Sequence, residues 1–214
     1  MSAFTFSGPE RGADRAVLLA HGAGSDRHAP ALEAVAGALA DAGVPTLRFD
    51  YPYRIAKKRA PDRPPVLDRS TRDAAAELAQ RTGLPAERLV LGGRSMGGRY
   101  CSLVVGDPEL PVPALGLLLL GYPLHPAGQP DRLRVEHFPR ITVPSLFVSG
   151  TRDSLGSKPA LTEAVRAIKG PVELHWLDSA DHGYRPLKAS GRTQAEVTAE
   201  AATVARDWVS GLPS

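Results

Sequence analysis

Short apolar runs alternate with amphipathic stretches along the chain. The runs at 16–20 (AVLLA), 46–49 (TLRF), 89–92 (LVLG), 115–120 (LGLLLL), 145–149 (SLFVS) and 172–177 (VELHWL) are brief and bounded by Gly, Pro or charge. They are apolar at nearly every position rather than every second one, as in strands buried on both faces of a parallel sheet. Between them, helical periodicity predicts helices at 29–42, 68–81, 96–105, 159–169 and 193–210. Strand followed by helix, repeated, builds βαβ units with helices on both faces of the sheet. The expected fold is a three-layer α/β sandwich around a mostly parallel sheet of about six strands. No internal repeat, low-complexity tract or linker divides residues 1–214, which read as one domain.

Composition narrows the class. A chain of 214 residues, 43% of them hydrophobic, buries a substantial core without staples. Cys101 is the only cysteine, so no intramolecular disulfide forms, and it reads as a small core residue. The first residues lack the basic-then-apolar pattern of a secretory leader. The longest apolar stretch, LGLLLLGYPL, is far short of the roughly 20 residues of a membrane span. A cytoplasmic protein without a membrane partner is expected. The net charge of +3 is mild, but residues 48–72 hold eight Lys or Arg against three acids. That stretch reads as a solvated loop, with attraction of an anionic substrate as the alternative. Aromatic residues are only 6% and no stacking set accompanies the charges, which argues against nucleic acid.

Candidate chemistry centres on LVLGGRSMGGR, where Gly93-x-Ser95-x-Gly97 follows an apolar strand and precedes a helix. A serine on such a turn projects its hydroxyl above the strand end, and the flanking glycines let the turn pack against neighbouring backbone. A nucleophilic serine needs a base, and the base an orienting acid. His182, in the polar loop LDSADHGYRP after the last strand, is the expected base. His175 lies inside a strand and reads as a packed or hydrogen-bonded core residue, while His125 and His137 read as solvated loop residues. Asp153, in GTRD after the strand SLFVS, is the expected acid; Asp178 and Asp181 are too near His182 in sequence to approach its ring from behind. The oxyanion donors expected are the N–H of Met96 and that of Ala23 in His21-Gly22-Ala23-Gly24. His21, Gly22, Gly24, Arg94 and Tyr51 are expected around the substrate, His21 chiefly by holding its loop. The HGAG loop lacks the further residues of a dinucleotide or P-loop motif, so no nucleotide, cofactor or metal is expected.

Taken in order, HGAG, RFDYPYR, GGRSMGGR, GTRD and DHGY resemble the small, lidless α/β hydrolases related to dienelactone hydrolase. Within these the chain is most similar to the testis-expressed hydrolase-like branch. The resemblance implies an α/β-hydrolase fold and a serine hydrolase with the triad Ser95, Asp153 and His182, acting on a small ester or thioester. Dienelactone hydrolase itself has a cysteine nucleophile where this chain has Ser95, so its substrate does not carry over. The interval 121–144, where larger relatives insert a lid, is too short for a helical cap, and a shallow, open site is expected. Nothing in the sequence speaks to oligomeric state.

Overall fold

In the computed structural model, residues 3–213 are described, and they form a seven-stranded sheet flanked by helices. The strands are β1 (Phe4–Ser7), β2 (Ala16–Ala20), β3 (Thr46–Phe49), β4 (Leu89–Arg94), β5 (Gly116–Leu120), β6 (Ser145–Gly150) and β7 (Val172–Leu177). They lie in the order β1-β3-β2-β4-β5-β6-β7, all parallel except β1, which pairs antiparallel with β3. The six expected strands are present; β1 is an addition at the edge.

The helices are α1 (Pro30–Asp41), α2 (Pro52–Ile55), α3 (Pro64–Thr82), α4 (Met96–Val105), α5 (Lys158–Ala164) and α6 (Gln194–Gly211). Proline in the first turn starts α1, α2, α3 and α5, where its missing N–H costs no helical hydrogen bond. A capping box between Thr193 and Glu196 starts α6. Gly83, left-handed at φ 72°, ends α3 by donating its N–H to Ala79.

Every residue of β2, β3, β5 and β6 is buried, because both sheet faces are covered. Alternate residues serve two cores. Leu18, Leu47, Leu91 and Leu119 meet α3 and α4 with Leu78 and Val104. Val17, Leu19, Val90 and Leu118 meet α1 and α6 with Leu39 and Val209. Parallel pairing also sets the C-terminal ends of β2, β4, β6 and β7 along one rim, where the loops carrying polar residues emerge.

Candidate functional site

Ser95 occupies the turn between β4 and α4 with φ 51° and ψ −115°, a strained conformation for a residue with a side chain. The surroundings hold it there. The Ser95 N–H donates to the Leu120 carbonyl at 2.9 Å, pinning the turn to the end of β5. A Cβ on Gly97 would lie 2.7 Å from the His21 carbonyl and nearer still to that of Ala20. One on Gly93 would lie 2.8 Å from the Ala20 nitrogen. The glycines therefore let β4 and α4 press against the end of β2 at the one place where the serine must stand.

His182 arrives from the loop after β7. That loop crosses the end of β6 so closely that a Cβ on Gly150 would strike the Ala180 backbone. Asp181 Oδ1 accepts the N–H groups of Gly183 (2.7 Å) and Arg185 (2.9 Å), and the Tyr184 hydroxyl donates to the Val148 carbonyl at 2.8 Å. Asp181 is thus committed to shaping the loop and Asp178 to the Ser179 hydroxyl, and neither contacts the His182 ring.

Asp153, just beyond β6, is buried and accepts from His182 Nδ1 at 2.8 and 3.0 Å through its two oxygens. Its Oδ1 also accepts the Leu155 N–H at 2.8 Å, which fixes the carboxylate. With Nδ1 donating to the carboxylate, the neutral ring presents a bare Nε2. That atom lies 3.0 Å from Ser95 Oγ. Asp153, His182 and Ser95 therefore form one continuous hydrogen-bonded chain.

The loop after β2 closes another side. Gly22 lies beside the Ser95 turn, where a Cβ would be 3.6 Å from Ser95 Cβ, and the Tyr53 hydroxyl holds the Ala23 carbonyl at 2.8 Å. His21 and Tyr51 stand behind this loop and expose no surface. His21 Nδ1 donates to the Gly22 carbonyl at 2.8 Å while Nε2 accepts the Tyr51 N–H at 3.2 Å. The Tyr51 hydroxyl meets Thr71 Oγ1 at 3.0 Å. His21 and Tyr51 are thus both corrected from substrate contacts to core residues: His21 braces the loop from behind, and the Tyr51 side chain points under α3 rather than over the rim. Burial keeps His21 below the ordinary histidine range and lifts the Tyr51 hydroxyl well above the ordinary tyrosine range.

Gly22, Gly24 and Arg94 do border the open space in front of Ser95, a cleft of about 750 Å³. Its walls are Ala31 and Ala34 of α1 and Ala195, Thr198 and Ala199 of α6. No helix roofs Ser95, and residues of α1 and α6 line the open cleft beside it. Sequence reasoning missed them because nothing local marks these alanines as wall rather than core. Arg94 lies with its guanidinium 4.4 Å over the Tyr184 ring and donates to the Leu120 carbonyl at 3.3 Å.

Among the other histidines, His137 departs from expectation. His137 is not solvated but buried, with Nε2 at 2.8 Å from the Ser102 hydroxyl, because the 121–144 segment packs Tyr122, Leu124 and Phe138 into the core over α4. His125 is half-buried, with Nδ1 donating to the Pro126 carbonyl. His175 is hydrogen-bonded as expected, to Glu200 at 2.7 Å, but on the half-buried edge strand. Burial pushes the Cys101 thiol up out of reactive range, and its S–H donates to the Gly92 carbonyl. The basic segment after β3 forms α2, an exposed turn at Lys57, Lys58 and Arg59, and the start of α3. None of its side chains borders the cleft.

The sequence matches the family described as alpha/beta hydrolase domain over residues 13–210. The chain belongs to the α/β-hydrolase family. Solved structures share its fold at low identity. Dienelactone hydrolase from Anabaena variabilis is 20% identical, with a TM-score of 0.70 over 99% of this chain and 92% of that one. An alpha-beta serine hydrolase homologue from Coxiella burnetii is 18% identical, with a TM-score of 0.69 over 94% and 89%. Est1E from Butyrivibrio proteoclasticus, solved with ferulic acid, is 17% identical, with a TM-score of 0.68 over 94% and 92%. In this α/β hydrolase the segment between β5 and β6 holds only the short turn Phe138–Arg140 among its described residues, and no cap. Among the described residues no helix is long and apolar enough to cross a membrane, and no cluster of three metal-ligating side chains occurs.

Proposed function

We propose that this α/β hydrolase is a serine acyl hydrolase, a carboxylesterase or thioesterase of small substrates. The observation that carries the reading is the unbroken chain from Asp153 through His182 to Ser95 Oγ. Ser95 Oγ attacks the carbonyl carbon while His182 Nε2 takes its proton, and Asp153 stabilises the imidazolium that results. The negative oxygen is met by the N–H groups of Ala23 and Met96. Met96 is the first residue of α4, so its N–H has no acceptor within the helix. His182 then protonates the leaving oxygen or sulfur, and water, deprotonated by the same ring, releases the acyl group. The motif GGRSMGGR supports placing the chain with the lidless, dienelactone-hydrolase-related members and their testis-expressed branch. The unpaired buried thiol of Cys101 suits a cytoplasmic site of action.

A fluorophosphonate probe tests the reading. It should label Ser95 in wild-type protein, fail to label Ser95→Ala, and abolish hydrolysis of p-nitrophenyl acetate in step with labelling. Folded wild-type protein that neither reacts nor hydrolyses the ester would instead be a non-catalytic binding module.

A further inference from the structure

We propose that the cleft between α1 and α6 is an acyl-chain pocket, which makes the substrate class an ester or thioester of an uncharged, apolar acyl group. The inference rests on the serine hydrolase reading and adds the substrate to it. Three features of the cleft carry it.

The first is continuity with the reacting atoms. Ser95 and His182 form one end of the 750 Å³ space, a volume in the range that buries most of a small organic ligand. The second is the direction left for the acyl arm. The leaving atom must face His182 Nε2 to be protonated, and the oxyanion must face the loop after β2. The remaining substituent of the carbonyl carbon, the acyl chain, then has the alanine-lined part of the same cleft to occupy. The third is the chemistry of the walls. Ala31 and Ala34 lie one turn apart on α1, and Ala195 and Ala199 one turn apart on α6, so each pair presents methyl groups on one helix face. Farther along, Val35 and Leu39 of α1 and Val197 and Val209 of α6 join one packed core. The cleft is therefore the place where side chains too small to close the gap stand between the helix ends. Its only ionisable side chains are His182 and Arg94, and Arg94 is turned onto Tyr184 and Leu120. The cationic turn at Lys57, Lys58 and Arg59 lies outside it, and the polar side chains that line the cleft beside the alanines, Ser25, Gln194 and Thr198, carry no charge.

The test uses p-nitrophenyl esters, which share a leaving group and differ only in the acyl arm. From acetate upward kcat/KM should rise about three- to fourfold per methylene and level off once the cleft is filled. A carboxylate at the far end of an eight-carbon chain should lower kcat/KM about tenfold or more, because the walls cannot solvate it. Filling the cleft with Ala34→Phe and Ala199→Phe together should lower kcat/KM about tenfold or more further for octanoate than for acetate. A flat chain-length series, or equal loss on acetate and octanoate, overturns the proposal. Failure of the underlying reading has a different signature: no acetate turnover and no fluorophosphonate label on Ser95. Binding still decides the matter then. Octanamide added to Ser95→Ala protein should shift the NMR methyl signals of Ala31, Ala34 and Ala199, and unmoved signals would overturn the pocket.

Discussion

Strain at Ser95 is affordable only because Gly93 and Gly97 let three backbone segments meet behind it. Adding one carbon at Gly97 forces either α4 or the end of β2 to move, since the contact is with backbone rather than a flexible side chain. Gly97→Ala should therefore lower stability by about 1–3 kcal/mol and kcat by about 100-fold. Melting temperature and acetate kinetics measure the two, and an unchanged kcat would mean that Ser95 is positioned by something else. At Asp153 the argument concerns a proton. Asp153→Asn places an amide opposite His182 Nδ1, which favours the proton on Nε2 and leaves no acceptor for the Ser95 hydroxyl. A fall in kcat of about 10⁴-fold is expected with KM little changed. These three side chains were legible in the sequence because each follows a recognisable strand at a fixed offset, and parallel pairing brings strand ends together. Tyr51 and His137 were not. Their burial depends on α3 and on the 121–144 segment folding back, contacts that no local pattern encodes.

Between elements, the Ser95 turn and the His182 loop are joined by more than the hydrogen bonds linking Asp153, His182 and Ser95. Arg94 precedes Ser95 and stacks on Tyr184, two residues after His182, while Tyr184 is anchored to β6 through Val148. The contact ties the loop after β7 to the end of β4 across the width of β5 and β6. Arg94→Met keeps much of the packing and removes the cation and its bond to Leu120. We expect a loss of stability of about 1 kcal/mol and a roughly tenfold lower kcat with KM nearly constant. A change confined to KM would instead make Arg94 a substrate contact. Element prediction succeeded where both faces of a strand are covered. It missed β1, whose four half-buried residues sit on the sheet edge and give too short a pattern to register. The facing of α1 and α6 was equally invisible, since the helices are far apart in sequence and meet only once the sheet has closed between them.

For the whole molecule, acid stability follows from two histidines that the reaction does not use. His137 is buried, its Nδ1 has no hydrogen-bond partner, and burial, reinforced by Arg99 and Arg140, lowers its pKa to about 3. His21 is also lowered by burial, and its Nε2 is occupied in accepting the Tyr51 N–H. Burial disfavours the charged form of both rings in the folded protein, whereas in the unfolded chain they protonate near about pH 6.5. Below that value the unfolded state binds more protons than the native one, so stability rises with pH through this window and is lost on acidification. For His137 the window runs from about 6.5 down to about 3. Within that window the His137 ring contributes a slope approaching about 1.4 kcal/mol per pH unit, and His21 adds to it in the same direction. Urea unfolding should therefore lose free energy steadily as pH falls below about 6.5. His137→Leu, although weaker at pH 8 for want of the Ser102 bond, should lose less on acidification, its slope smaller by about 1.4 kcal/mol per unit. Equal slopes in the two proteins would mean that His137 titrates in the native state, and that the 121–144 segment opens to admit the proton.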